Sequence, residues 1–153
     1  MRITLTVNGD RVEQDVPPNV LLVDLLRDTC ELTGAKVGCD TGQCGTCVVR
    51  LGDRSVKSCQ MLAVQADGAE VTTVEGLSGD GELTPLQEAL WEEHGAQCGF
   101  CVPGMVMSLT DLLEHDSAPD EQAIRTGIAG NLCRCTGYGA VVRAVQKAVK
   151  DKS

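Results

Sequence analysis

The N-terminal half of the chain alternates apolar and polar residues in short runs, interrupted by one stretch with helical spacing. Positions 3, 5 and 7 are apolar and the residues between them are polar, which predicts a half-buried strand. Asn8-Gly9-Asp10 is typical of a tight hairpin turn and predicts a return strand over Val12–Val16. Apolar residues at 21, 22, 25 and 26 predict an amphipathic helix over Val20–Cys30.

A loop rich in cysteine and glycine follows this helix, and short apolar runs return after it. These runs predict three more strands, at 47–51, 55–62 and 70–74. Two strands, a helix, a loop and then further strands follow one another in the order of a β-grasp, plant-type ferredoxin fold.

The C-terminal half has helical spacing almost throughout. Thr84, Pro85 and Gln87 form the signature of a capped helix start, because the threonine and the glutamine can each bond the other's backbone. Helices are predicted over 85–94, 103–115, 119–128 and 139–150. Four short helices joined by tight loops favour a small bundle.

The stretch between the two halves contains three glycines and no strong periodicity. We therefore expect a ferredoxin-like β-grasp domain at 1–76, a linker at 77–82 and an all-helical domain at 83–153. The fold class expected is α+β.

Charge and composition narrow the possible functions. With 13 basic and 22 acidic residues the net charge is −9, which argues against nucleic acid and against an anionic membrane surface. Only one Phe, one Trp and one Tyr are present, so two small aliphatic cores would gain stability from bound metal. The absence of a signal peptide or a transmembrane stretch predicts a cytoplasmic protein.

Eight of the nine cysteines fall into two sets of four with the spacing of metal–sulfur sites. The first set is Cys39, Cys44, Cys47 and Cys59, and the second set is Cys98, Cys101, Cys133 and Cys135. The C-x4-C-x2-C run of the first set is the plant-type [2Fe–2S] spacing. Its interleaved glycines, 38, 42 and 45, let backbone N–H groups approach the sulfurs, and helix starts follow both pairs of the second set. Two [2Fe–2S] clusters, and hence an electron-transfer function, are predicted.

Other interpretations of the cysteines remain open on spacing alone. Structural zinc also takes four thiolates, and the single C-x2-C of the second set is weak evidence against it. Disulfides are a further alternative, although nine cysteines cannot all pair. Cys30 is read as a buried apolar residue, His94 and His115 as surface residues, and Met105 and Met107 as packing residues.

Three stretches resemble the cluster motifs of the small iron–sulfur subunits of the molybdenum hydroxylase family, which includes xanthine dehydrogenases, aldehyde oxidases and aerobic carbon monoxide dehydrogenases. They are Gly38–Cys47, Gln97–Met105 and Gly130–Tyr138, which read GCDTGQCGTC, QCGFCVPGM and GNLCRCTGY. The resemblance extends from Ile3 to about Val149. Val102, where relatives often have Thr, is a departure without consequence for ligation.

This resemblance implies a subunit that relays electrons from a large subunit to a medium one. The large subunit would bind a molybdenum–molybdopterin cofactor, as the cytosine dinucleotide, and the medium subunit would bind FAD. Electrons would pass from molybdenum through the second set of cysteines, then through the first set, to FAD. Gln97 and Cys135 are implied contacts of the pterin. A heterotrimer or a dimer of heterotrimers is expected.

The substrate is not fixed by these motifs. Ser55–Ala66 is similar to the corresponding segment of aerobic carbon monoxide dehydrogenases, so carbon monoxide stands beside aromatic N-heterocycles, purines and aldehydes as a candidate. Two different functions remain as alternatives: a free-standing two-cluster ferredoxin that carries electrons, and a zinc-stabilised interaction module.

Overall fold

The N-terminal half folds around one mixed five-stranded sheet in the computed structural model, which describes residues 1–79 and 81–151. The strands are β1 Arg2–Val7, β2 Asp10–Asp15, β3 Val48–Leu51, β4 Arg54–Lys57 and β5 Glu70–Thr72. Their order is β2-β1-β5-β3-β4; β5 pairs parallel with β1, and all other neighbours are antiparallel. The predicted β-grasp arrangement is confirmed.

The first hairpin and the helix that covers the sheet follow the predicted pattern. Asn8 and Gly9 have φ angles of 51° and 90°, as a two-residue hairpin turn requires. The predicted helix begins as α1, Leu22–Asp24, and continues as a wider π-helical turn over Leu25–Thr29. Its apolar side packs into a core with alternate residues of β1, which explains the spacing of the apolar positions.

Two predicted strands are shorter than expected. The run at 70–74 is strand only over Glu70–Thr72. The run at 55–62 was expected to be strand throughout, but β4 ends at Lys57 and a 3₁₀ turn, Ser58–Gln60, replaces the rest. Ser58 is fully buried, and its hydroxyl donates a hydrogen bond to the Cys47 carbonyl at 2.6 Å. This contact with β3's N-terminal end turns the chain inward and places Cys59 beside Cys47.

The C-terminal half contains the four predicted helices. They are α2 Pro85–Glu92, α3 Val102–His115, α4 Glu121–Gly127 and α5 Gly139–Asp151. The predicted cap of α2 is present, because Gln87 N donates to Thr84 Oγ1 at 3.3 Å and Thr84 N donates to Gln87 Oε1 at 2.8 Å. Helix α4 begins later than the predicted Pro119, since Asp120 caps it through the Ala123 N–H at 2.7 Å.

Helix α3 joins the two halves by packing on β3 and β4. Near its C-terminal end Glu114 forms an ion pair with Arg50 of β3, and Asp111 accepts a hydrogen bond from Ser55 of β4 at 3.0 Å. Each half keeps its own apolar core, so the α+β class is confirmed. The boundaries at 76 and 83 stay a prediction, and Asp80, Lys152 and Ser153 lie outside the described residues.

Candidate metal centres

The first set of cysteines is gathered by one loop and one turn. Cys39, Cys44 and Cys47 lie in the loop that leads into β3, and Cys59 lies in the turn after β4. Cys47 and Cys59 are buried, with their Sγ atoms 3.2 Å apart. Two thiols at this separation can bind one metal ion.

Glycine is required at one position of this loop for two reasons. Gly45 has a φ of 76°, in the left-handed region that side chains rarely adopt. A Cβ there would also lie 2.6 Å from Asn131 Nδ2 and would meet the Gly130 carbonyl oxygen. The predicted role of these glycines in close backbone approach therefore extends to contact with the second half of the chain.

Hydrogen-bond donors surround the sulfurs of the first set. The backbone N–H groups of Thr41 and Cys44 donate to Cys39 Sγ at 3.4 and 3.3 Å. Gln60 Nε2 donates to Cys59 Sγ at 3.4 Å. Hydrogen bonds from Thr41, by side chain and backbone, and from Cys44 lower the pKa of Cys39 to about 6. Donors of this kind favour the thiolate, which is the form that binds metal.

The second set stands at the starts of two helices. Cys98 and Cys101 precede α3, and Cys133 and Cys135 precede α5. Cys98 lies beside Cys135, and Cys101 beside Cys133, close enough for each thiol to affect its partner's pKa. All four line a cavity of about 240 Å³. Each pair in the structure therefore joins one cysteine of the Cys98–Cys101 segment to one cysteine of the Cys133–Cys135 segment.

Burial and hydrogen bonding act in opposite directions on these thiols. Burial raises the pKa of Cys101, and that of Cys47 in the first set, to about 12. Burial also acts on Cys133, but hydrogen bonds from Thr136 Oγ1 and N, at 3.2 and 3.4 Å, leave its pKa lowered. The N–H of Phe100 lowers the pKa of Cys98. The buried thiols therefore ionise only when a cation compensates their charge.

The pairing of thiols indicates which metal group fits. A zinc ion draws four thiolates to one point, whereas each iron of a [2Fe–2S] cluster takes two of the four. Three close thiol pairs are present. Within residues 1–79 and 81–151, no three His, Cys, Asp or Glu side chains are arranged to hold a single metal ion. The donor sets fit two-iron clusters better than single zinc ions.

The two sets are held against one another by backbone contacts. Leu132 N donates to the Cys44 carbonyl oxygen at 2.8 Å, which joins the first set to the residue before Cys133. The buried side chain of Asn131 donates to the Gly45 carbonyl oxygen at 3.2 Å. Cys44 also lines the cavity of the second set. Two hydrogen bonds therefore connect the loops that carry the two sets.

Gly104 of α3 allows this close approach, and its replacement provides a test. A Cβ on Gly104 would lie 2.9 Å from Thr46 Cα and would meet the Gly45 carbonyl oxygen. Gly104→Ala is expected to destabilise the loaded protein by about 2 kcal/mol through overpacking, despite a gain in helix propensity of about 1 kcal/mol. Thermal unfolding measures the difference. Gly79→Ala, where a Cβ meets nothing within 4 Å, is the matched control.

The structure also places the residues that lie outside the two sets. His94 and His115 are exposed and Met105 and Met107 are buried in packing positions, as predicted. Cys30, which was predicted to be buried, packs against the N-terminal core but is only partly buried. Gln97 is exposed beside Cys98.

Sequence reasoning missed several polar residues that support the sulfurs. Thr46 Oγ1 contacts Cys44 Sγ at 3.2 Å, and Tyr138 Oη accepts a hydrogen bond from Cys133 N at 2.9 Å. Their position within two to five residues of a cysteine is the only signal that could have identified them.

None of the helices in the described part of the chain is long and apolar enough to cross a lipid bilayer.

Family models and relatives match the chain over its length. A 2Fe-2S iron-sulfur cluster binding domain model matches residues 5–78, and a [2Fe-2S] binding domain model matches residues 73–146. Caffeine dehydrogenase subunit gamma of Pseudomonas sp. strain CBB1 is 48% identical over 94% of this chain and 88% of its own length. The nicotine 6-hydroxylase small subunit of Paenarthrobacter nicotinovorans is 46% identical over 97% of this chain and 89% of its own.

A solved structure agrees with these relatives. A chain of quinoline 2-oxidoreductase from Pseudomonas putida 86 superposes with a TM-score of 0.95 at 41% identity. The match covers 99% of this chain and 94% of the other.

Proposed function

We propose that this chain, which belongs to the small iron–sulfur subunits of the molybdenum hydroxylase family, relays electrons from a molybdopterin site to FAD in a multi-subunit enzyme. It is the non-catalytic iron–sulfur subunit of an oxidoreductase, with two [2Fe–2S]-binding domains. The observation that most favours a relay is the hydrogen bond from Leu132 N to the Cys44 carbonyl, which links the two cysteine sets directly.

Each cysteine set is assigned to one cluster. Cys39, Cys44, Cys47 and Cys59 would hold the first [2Fe–2S] cluster, and Cys98, Cys101, Cys133 and Cys135 would hold the second. Bound in this way, a [2Fe–2S] cluster accepts and releases one electron. The protein fixes the sulfurs, supplies N–H and hydroxyl donors that stabilise their negative charge, and keeps the two sites in contact.

The surface beside the second set has the properties of a subunit interface. Val37, Phe100 and Leu132 are large apolar side chains that are 42%, 48% and 54% exposed around the two cysteine loops. Cys98 and Cys135 are also exposed. Apolar side chains grouped around a redox site indicate a protein partner rather than free solvent.

We assign this surface to the large, molybdopterin-binding subunit. Gln97 and Cys135 would then contact the pterin, here proposed as the cytosine dinucleotide form, because both are exposed at the rim of the second site. The first site would serve the medium, FAD-binding subunit. The proposed complex is a heterotrimer or a dimer of heterotrimers, and it is proposed to be cytoplasmic.

For the substrate we propose an aromatic N-heterocycle. The similar proteins described above are named for caffeine, nicotine and quinoline, all of which contain such a ring. Purines fall within this class, since caffeine is a methylated purine; carbon monoxide and aldehydes are the other candidates. Substrate screening of the purified complex, with acceptor dye reduction as the readout, distinguishes them.

Low-temperature EPR of the dithionite-reduced complex tests the assignment of the sites. Two distinct S = 1/2 signals that integrate to two spins per chain are expected, with matching amounts of iron and acid-labile sulfide. A colourless protein with stoichiometric zinc would contradict the assignment and favour the interaction module. Signals from a chain that purifies alone, without large and medium subunits, would instead favour the free-standing ferredoxin.

A further inference from the structure

Lys57 places a positive charge between the two candidate sites. It is the last residue of β4, and its side chain is half-buried. Its Nζ donates a hydrogen bond to the Gly42 carbonyl, inside the loop that presents Cys39 and Cys44. The same Nζ lies 3.6 Å from the position of a Cβ built on Gly130, in the segment that leads to the second set.

In the part of the chain that the structure describes, Lys57 forms no ion pair. Among residues 1–79 and 81–151, the ion pairs involve other cations, such as Arg50 with Glu114 and Lys147 with Glu92, and none includes Lys57. Gly42 contributes only a carbonyl dipole. An unpaired ammonium group that is partly withdrawn from water acts over a longer range than an exposed one.

The two sites do not receive this charge equally. Lys57 lies two residues before Cys59 and bonds the first cysteine loop directly, whereas it approaches the second set only through Gly130. Arg134 lines the cavity of the second set, but it is exposed and its charge is screened by water. Lys57 therefore contributes more positive potential to the first site than to the second.

We propose that the positive charge of Lys57 raises the reduction potential of the first site relative to that of the second. This difference in potential favours electron flow toward FAD. This inference rests on the function proposed above. Reduction adds one electron to the site and breaks no bond, so its net charge becomes more negative by one. A nearby fixed cation favours that product, and the site closer to the cation gains more.

Redox titration of the whole complex, followed by EPR, tests the proposal. Lys57→Gln removes the charge but keeps a donor for the Gly42 carbonyl, Lys57→Met removes both, and Lys57→Arg keeps both. The first-site signal is identified by its loss in Cys44→Ser. Both uncharged variants are expected to reduce the equilibrium constant for one-electron reduction of the first site about tenfold, equivalent to about 59 mV, with a smaller change at the second site.

Two further variants make the result specific. Lys57→Arg is expected to keep the wild-type potential. Lys150→Gln removes the same charge from an exposed position in the last turn of α5, more than ten residues along that helix from the second set, and is expected to change neither potential.

Each other outcome has a defined meaning. An unchanged first-site potential, or equal shifts at both sites, would overturn the role of Lys57. Loss of the first signal in both uncharged variants would also overturn it, because Lys57 would then be needed for assembly rather than for potential. Absence of both signals in the wild-type complex would instead reject the proposed function itself.

Discussion

Cys44→Ser is expected to remove one of the two EPR signals and to stop electron delivery to the flavin, while substrate still reduces the molybdenum centre. Cys44 provides one of the four thiolates proposed for the first site, and its carbonyl receives the Leu132 N–H that bridges to the second. Serine preserves that backbone hydrogen bond, so the two halves remain docked. Replacing a residue that hydrogen-bonds a metal ligand typically lowers activity about 10–100-fold, and loss of the ligand itself has a larger effect. The rate of flavin reduction should therefore fall by at least about 100-fold.

Rapid mixing of the oxidised complex with substrate measures the effect as the rate of flavin bleaching, and EPR spin counting measures the loss of the site. Cys30→Ala is the matched control, because Cys30 is the cysteine that belongs to neither set and it packs against the N-terminal core. It should keep two spins per chain and the wild-type rate. Normal flavin bleaching in Cys44→Ser would show that electrons do not pass through the first site.

The elements that sequence could predict are those governed by local pattern. The first hairpin follows from Asn8-Gly9 and from alternation in β1, and the start of α2 follows from Thr84 and Gln87, which bond each other within four residues. The C-x4-C-x2-C spacing that predicts the first set is likewise a local feature of the sequence.

The features that sequence did not predict depend on contacts between distant segments. Strand β4 ends at Lys57 because Ser58 bonds the Cys47 carbonyl, although the residues after Lys57 retain strand-like alternation. Asn131 bonds the Gly45 carbonyl, a partner 86 residues away. No periodic pattern in the sequence indicates such a contact. The contact between the two sites could therefore be seen only in the three-dimensional structure.

Lys57 illustrates the same limit at the level of function. In the sequence it is one of two lysines that closely precede a cysteine, the other being Lys36, and nothing marks it as different. Its Gly42 partner is 15 residues away, and its approach to Gly130 depends on docking of the helical half. Only the assembled fold places its charge between the sites.

Cys135→Ser is expected to remove the other EPR signal and to lower steady-state turnover by at least about 100-fold, again more than an outer-shell change. Cys135 is exposed at the start of the loop before α5, so its replacement should leave the apolar core of the helical half intact. Its thiol pairs with Cys98, and the proposed site loses one member of that pair. Thr136→Ser keeps the hydroxyl that donates to Cys133 Sγ at 3.2 Å and should retain both signals and wild-type turnover.

The two cysteine variants together determine the order of the relay. If electrons enter through the second site, substrate should still reduce that site in Cys44→Ser, whereas in Cys135→Ser substrate should reduce the first site only very slowly. Dithionite, which is small and acts without the molybdenum centre, should reduce the surviving site in both variants. Freeze-quenched EPR after substrate mixing separates these cases. Rapid reduction of the first site by substrate in Cys135→Ser would reverse the proposed order, since electrons would then reach that site without passing through the second.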